Sequence, residues 1–118
     1  MKVTVIMGIY NCADTLGAAL DSLLAQTFAN WNLVMCDDGS SDTTYEIAAQ
    51  YQLTYPDKIT LLRNGHNMGL NYTLNRCLSA ADGEYIARQD GDDISMPTRF
   101  EQEVAILDAH PNIAIVST

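Results

Sequence analysis

The stretch Ile86-Ala87-Arg88-Gln89-Asp90-Gly91-Asp92-Asp93 runs from an apolar entry straight into three carboxylates. Tyr85, Ile86 and Ala87 have the character of a buried strand, and the acids that follow read as the place where that strand ends at a site. Asp90, Asp92 and Asp93 repel one another unless something positive sits among them. A divalent cation meets that need, because hard cations take carboxylate oxygens and leave other positions for phosphate oxygens. A solvated acidic turn is the plain alternative, and the octet by itself leaves both open.

Working outward, the same arrangement recurs. Val3–Ile9 is an almost unbroken β-branched and apolar run, the pattern of a strand buried on both faces, and it ends at Tyr10-Asn11. Leu16, Leu20, Leu23 and Leu24 then recur at helical spacing, with Asp14 or Asn11 as the expected cap. After the turn Phe28-Ala29-Asn30, residues 31–36 predict a second buried strand that ends at Asp37-Asp38-Gly39-Ser40-Ser41-Asp42. Ser41 or Asp42 can cap the next helix, which has Glu46 in its first turns and Ile47, Ala48 and Tyr51 on its apolar side. Residues 59–62 predict a third strand, followed by Arg63-Asn64-Gly65-His66-Asn67. Leu70, Leu74, Cys77 and Leu78 mark a third helix, with Asn67 expected as its cap rather than as a ligand contact. The fourth strand, 84–87, delivers the acids. Pro97 suits a first helical turn, Phe100, Val104 and Leu107 continue that helix, and 113–116 begins a fifth strand.

Alternating strands and helices imply an α/β fold, a mostly parallel sheet with helices on both faces. Such sheets bind ligands beyond the carboxyl ends of their strands. Tyr10-Asn11, Asp37-Asp38 and Asp90-Gly91-Asp92-Asp93 all lie at that kind of place. Asp37 and Asp38 could accept hydrogen bonds from a ribose hydroxyl or a base N–H, although helix capping and a turn explain part of the same segment. Arg88 could contact a phosphate, but pairing with the nearby acids is the favoured reading.

Composition narrows the function. The 118 residues fit one domain, and 47% are hydrophobic, which disfavours disorder. A net charge of -9 argues against nucleic acid as a partner. No run approaches the roughly 18 apolar residues of a membrane span, and the apolar run after Met1-Lys2 is too brief for a signal peptide. Cys12, Cys36 and Cys77 are odd in number and have no C-x-x-C spacing, so a disulfide framework or zinc site is disfavoured and a reducing compartment is expected. Cys36 and Cys77 read as small core residues, and His66 and His110 as surface or loop residues. A G-x-G-x-x-G cradle and a P-loop are both absent, which sets aside dinucleotide binding and Walker-type chemistry. A phospho-receiver domain would need acids after the first strand and an aspartate after the third. Those strands end instead in Tyr10-Asn11 and Arg63-Asn64.

In this order and spacing the segments resemble the first half of family 2 glycosyltransferases, an inverting group with a GT-A fold. The resemblance rests on Val5-Ile6-Met7 with Tyr10-Asn11, Ser22-Leu23-Leu24-Ala25-Gln26-Thr27-Phe28, Asp37-Asp38-Gly39-Ser40 and Asn67-Met68-Gly69. It continues through residues 83–93 and Pro97-Thr98-Arg99-Phe100. It implies that residues 1–118 are the N-terminal nucleotide-sugar-binding part, truncated before the acceptor-binding half. The implied donor is a nucleotide-diphosphate sugar, most often a UDP-sugar, with Mn²⁺ or Mg²⁺ as cofactor.

Position by position, the resemblance places Tyr10 and Asn11 at the base pocket, Asp38 on the uracil, and Asp37 beside it or at the ribose. Arg88 joins the nucleotide-binding set. Asp90 and Asp92 match the D-x-D motif, with Asp92 the leading metal and diphosphate ligand and Asp93 a supporting or sugar contact. The catalytic base is expected beyond Thr118. A glycan, lipid-linked or other hydroxyl acceptor is implied, as is a cytoplasmic protein, peripheral at the inner membrane face and engaged in surface polysaccharide synthesis. Uncovered apolar surface would allow a dimer. One departure is Leu74, where many members carry an arginine before the asparagine that is Asn75 here. The rival within the same fold is a non-catalytic nucleotide-sugar-binding module.

Overall fold

The computed structural model describes residues 1–110, in which strands and helices alternate. The order is β1 (Val3–Ile9), α1 (Ala13–Leu24), β2 (Trp31–Asp37), α2 (Thr44–Thr54), β3 (Ile59–Arg63), α3 (Leu70–Ala80), β4 (Tyr85–Arg88) and α4 (Arg99–Ala109). The fifth strand expected at 113–116 lies outside the described residues.

The four strands form one all-parallel sheet in the order β3-β2-β1-β4. β1 and β2 are the inner strands, which is why their sequences are apolar on both faces rather than alternating. Ile9 pairs with Asp37, and Asp37 with Arg63, so the carboxyl ends of β1, β2 and β3 are level. Whatever polar residues follow these strands emerge at one rim.

Alternate residues of the sheet feed two separate cores. On one face Val3, Val5, Met7, Ile9, Leu33 and Met35 pack with Leu16, Leu20 and Leu23 of α1, Ala48 of α2, and Phe100 and Val104 of α4. Trp31 meets Phe100 edge-on at 5.9 Å between ring centroids, which adds about 0.5–1.5 kcal/mol beyond the area the two rings bury. On the other face Ile6, Val34 and Cys36 pack against Cys77 and Leu74 of α3. The expected helices on both faces are therefore present, with Cys36 and Cys77 in the core.

Four details differ from expectation, three of them for non-local reasons. First, α3 buries Thr73 and Cys77 and leaves Leu70 and Leu78 exposed. Its inward stripe is turned toward Thr73 because that hydroxyl donates to the Gly69 carbonyl and accepts from the buried Asn64 amide. Second, neither Asp14 nor Asn11 caps α1. Cys12 holds the cap position without a side-chain hydrogen bond, and the Cys12 and Ala13 N–H groups donate to Thr44 Oγ1 (2.9 Å) and Asp42 Oδ2 (3.3 Å). Third, Asn67 does not cap α3. Gly69 does, and the Met68 and Gly69 N–H groups donate to the Asp38 carboxylate. At α2 the cap is Thr43, one residue beyond the expected pair, although Asp42 still accepts from the Thr44 N–H at 2.9 Å.

Candidate functional site

The level strand ends open into a cleft of about 480 Å³, bounded by the loop after β1, the start of α1 and the turn after β4. Tyr10, Asn11, Asp14, Asp42, Asp90 and Asp92 are among its lining residues. Tyr10 is 49% exposed, so about half of a large aromatic residue stands open at the rim. Asn11 has a φ of 47°, a left-handed conformation that asparagine tolerates better than most residues. It is held there by the loop after β2: its N–H donates to Ser40 Oγ (2.9 Å), and its Oδ1 accepts from the Ser41 N–H (2.8 Å).

The acidic turn forms the opposite wall. The Asp93 N–H donates to the Asp90 carbonyl (3.1 Å), and Asp93 Oδ2 accepts from the Asp90 N–H (3.1 Å). At Gly91 a Cβ would lie 2.6 Å from Cys12 Sγ, so any larger residue at the bend would force that side chain or the turn to move. One carboxylate oxygen from each of Asp90, Asp92 and Asp93 can be chosen so that all lie within 4.8 Å of one another. Arg88 Nε approaches Asp90 Oδ1 at 3.3 Å, the internal pairing expected from sequence; both side chains are about half exposed, and such pairs contribute roughly 0–1 kcal/mol. Hard oxygen donors on a cleft wall suit a divalent ion that keeps positions open for phosphate oxygens, so this donor set fits Mn²⁺ or Mg²⁺.

The paired acids after β2 sit differently. Asp37 is fully buried; its Oδ1 accepts from Ser40 Oγ (2.6 Å) and its Oδ2 from the Ser40 N–H (3.1 Å). Since Ser40 Oγ also receives the Asn11 N–H, Asp37 fixes the first loop at one remove. Asp38 is 5% exposed. Its Oδ1 accepts from the Met68 N–H (2.7 Å) and Asn64 Nδ2 (2.9 Å), and its Oδ2 from the Gly69 N–H (3.1 Å). Burial alone would raise its pKa, but the hydrogen bonds from Met68, Asn64 and Gly69 outweigh it and hold the carboxyl below its ordinary value. Gly39, between this pair and Ser40, has a φ of 74°, and a Cβ there would meet the His66 carbonyl carbon at 2.7 Å. The loop 64–69 therefore lies directly on the turn after β2.

Tyr10, Asn11, Asp90 and Asp92 thus share the cleft, with Asp93 completing the acidic group. Asp37, Asp38 and Arg88 are not among the cleft-lining residues. Sequence reasoning did not single out Asp14, Cys12 and Thr15 for this wall, and it saw in Asp42 only a cap. It also missed Asn64, whose amide donates to Asp38 and Thr73 and whose Oδ1 accepts from Arg76 (2.8 Å). Its position directly after β3 was the available signal. Leu74, the departure noted above, packs against the second core.

Comparison with known proteins agrees with this geometry. The family model "Glycosyl transferase family 2" matches residues 4–118. "Putative glycosyltransferase EpsE" of Bacillus subtilis is 52% identical over 117 residues, covering 99% of this chain and 42% of that protein. The Escherichia coli protein "UDP-Glc:alpha-D-GlcNAc-diphosphoundecaprenol beta-1,3-glucosyltransferase WfgD" is 36% identical over 105 residues, covering 89% of this chain and 40% of that one. The chain therefore spans less than half the length of these relatives. Among solved structures, S. aureus TarS 1-349 in complex with UDP-GlcNAc superposes with a TM-score of 0.87 at 28% identity, covering 94% of this chain and 32% of that one. The mannosyltransferase PcManGT of Pyrobaculum calidifontis, in complex with GDP-Man and Mn²⁺, gives 0.78 at 30% identity, covering 89% of this chain and 31% of that one. The parallel sheet, the cleft at its carboxyl rim and the sequence match agree: this chain belongs to glycosyltransferase family 2.

Proposed function

We propose that the chain is the donor-binding part of a glycosyltransferase that moves a sugar from a UDP-sugar to an acceptor hydroxyl with inversion and with a divalent cation. The observation that carries this reading is the pairing, across one cleft, of a half-exposed aromatic residue, Tyr10, with the carboxylate wall of Asp90 and Asp92. An aromatic face suits a nucleobase, and carboxylates suit the metal that a diphosphate brings. Asp92 and Asp90 would hold the ion, with Asp93 supporting them or meeting the sugar. The ion would supply charge neutralisation on the departing diphosphate.

Asp37 and Asp38 shape the base side, Asp37 through Ser40 and Asn11, Asp38 through the loop 64–69. The uracil contact expected of Asp38 would fall to Oδ2, which accepts from the Gly69 N–H and, as a carboxylate oxygen, can accept more than one hydrogen bond. Arg88, beside Asp90, would meet a phosphate held by the ion. We place the base that activates the acceptor in the part of the relatives that this chain does not span. The name of WfgD, which specifies a UDP-linked glucose donor and a diphosphoundecaprenol-linked acceptor, supports a lipid-linked acceptor; with it we propose a site of action at the inner membrane face and a role in surface polysaccharide synthesis. Among the described residues no helix is long and apolar enough to cross a membrane.

Calorimetric titration of UDP with and without Mn²⁺ tests the reading. Binding that requires Mn²⁺ and prefers UDP over GDP and ADP is expected. Equal binding of UDP with and without the ion would remove the metal from the proposal, and preference for another nucleotide would remove uracil.

A further inference from the structure

The acidic turn is held by its backbone at several points, and one buried amide connects them. Gln89 is 1% exposed, an unusual burial for a glutamine. Its Nε2 donates to the Ala19 carbonyl of α1 (3.2 Å) and to the Asp93 carbonyl (3.1 Å). Its Oε1 accepts from Ser95 Oγ and from Arg99 Nη1. Both donors and both acceptor positions of the amide are therefore in use. Arg99 spreads its guanidinium over the same region: Nη2 donates to the Arg88 carbonyl (3.0 Å), Nη1 also to Ser95 Oγ (3.1 Å), and Nε to Glu103 (3.1 Å). From the far side Thr15 Oγ1 donates to the Gly91 carbonyl (2.9 Å), and Ser22 Oγ accepts from the Ser95 N–H (3.0 Å). The carbonyls of residues 88, 91 and 93 are thus fixed to α4, α1 and the Gln89 amide respectively, while the carboxylates between them are left for the cleft.

A tight core does not require this. An apolar side chain at Gln89 would fill the volume without the desolvation that burying an amide entails. What the amide adds is direction: it links the turn to both flanking helices through hydrogen bonds of fixed geometry. We propose that Gln89, with Arg99 and Thr15, forms a clamp that presets the carboxylates of Asp90, Asp92 and Asp93 for a divalent cation. These are positioning residues; they touch the backbone of the turn and not the ion. The inference rests on the metal reading above and deepens it. Residues that orient metal ligands from behind typically contribute about 10–100-fold to metal affinity.

The test compares the full 118-residue chain with Gln89→Met, Thr15→Val and Asp92→Ala, using two measurements. One is Mn²⁺ binding in the presence of UDP, read from the paramagnetic resonance signal of free Mn²⁺. The other is amide hydrogen exchange at residues 90–93 without metal. Gln89→Met keeps the side-chain length and removes the hydrogen bonds. It is expected to weaken Mn²⁺ binding by about tenfold and to speed exchange of the Asp93 amide, with β1 and β2 as protected as in the wild type. Thr15→Val, at the surface end of the clamp, changes both in the same direction by less and serves if Gln89→Met does not fold. Unchanged Mn²⁺ affinity and unchanged exchange in Gln89→Met, or in Thr15→Val where that serves instead, would overturn the clamp. Asp92→Ala separates the two readings: it should abolish Mn²⁺ binding and leave the exchange of the turn slow. Equal Mn²⁺ affinity in Asp92→Ala and wild type would overturn the metal reading itself, and the role of the clamp with it.

Discussion

Two acidic regions border the same rim of the sheet, and they treat their charges in opposite ways. After β2, Asp37 and Asp38 are buried, and their carboxylates accept hydrogen bonds from Ser40, Asn64, Met68 and Gly69. After β4, Asp92 and Asp93 are exposed and Asp90 is partly so; main-chain atoms carry most of the structural bonds there, apart from the Asp90 N–H to Asp93 and the half-exposed Arg88–Asp90 pair, and Asp90 and Asp92 line the cleft. In the first region charge holds loops in place. In the second, loops hold charge in place. Aspartates can therefore look alike in sequence while some are buried as hydrogen-bond acceptors that stabilise the fold and others stand exposed at the cleft.

The largest expected effect separates the regions by binding. Asp92→Ala should reduce Mn²⁺-dependent UDP affinity by more than about 100-fold, above the usual contribution of supporting residues. Its thermal midpoint should be unchanged or slightly raised, because a like charge has been removed. A drop in stability as large as the drop in affinity would erase the distinction drawn above.

The next effect runs the other way. Asp38→Asn leaves the N–H groups at the start of α3 facing an amide in place of a carboxylate, and should destabilise the chain by about 1–3 kcal/mol, measured by denaturant unfolding. Mn²⁺ affinity should hardly change. The same residue sets an acid limit. Its carboxyl titrates lower in the folded chain than in the unfolded one, so its stabilisation is complete above the ordinary carboxylate range. That stabilisation is lost as pH falls from about 4 through the lowered folded value. Unfolding curves of wild type and Asp38→Asn between roughly pH 2 and pH 6 should therefore converge at the acid end.

Arg88→Ala should do least. Its pair with Asp90 is half exposed, so stability should move by less than about 1 kcal/mol. Removing a cation beside the turn should raise affinity for Mn²⁺ alone. A fall in UDP affinity in the same variant would show that the guanidinium also reaches the diphosphate.

Much of this contrast was legible in the residues, and its limits are instructive. Val3–Ile9 announces an inner strand because the run is almost wholly apolar or β-branched, as burial on both faces favours. The convergence of Tyr10-Asn11 with Asp90-Gly91-Asp92-Asp93 follows once the strands are parallel. Hydrogen-bond partners far apart in sequence were not legible. Asn67 is a sensible local cap for α3, yet the N–H groups there are served by Asp38, 30 residues earlier. Leu70 and Leu78 satisfy helical spacing, yet Thr73 faces inward because buried Asn64 requires a partner. At Gln89 no local pattern signals a role, since only the packed α1 and α4 show what its amide connects.

The most direct test of the central claim is a crystal structure of the chain grown with UDP and Mn²⁺, with the metal located by its anomalous signal. The account places the ion at roughly 2.1 Å from an Asp92 carboxylate oxygen, shared with the diphosphate, and the uracil against Tyr10. An ion away from residues 90–93, or a nucleotide outside the cleft between Tyr10 and Asp92, would contradict it.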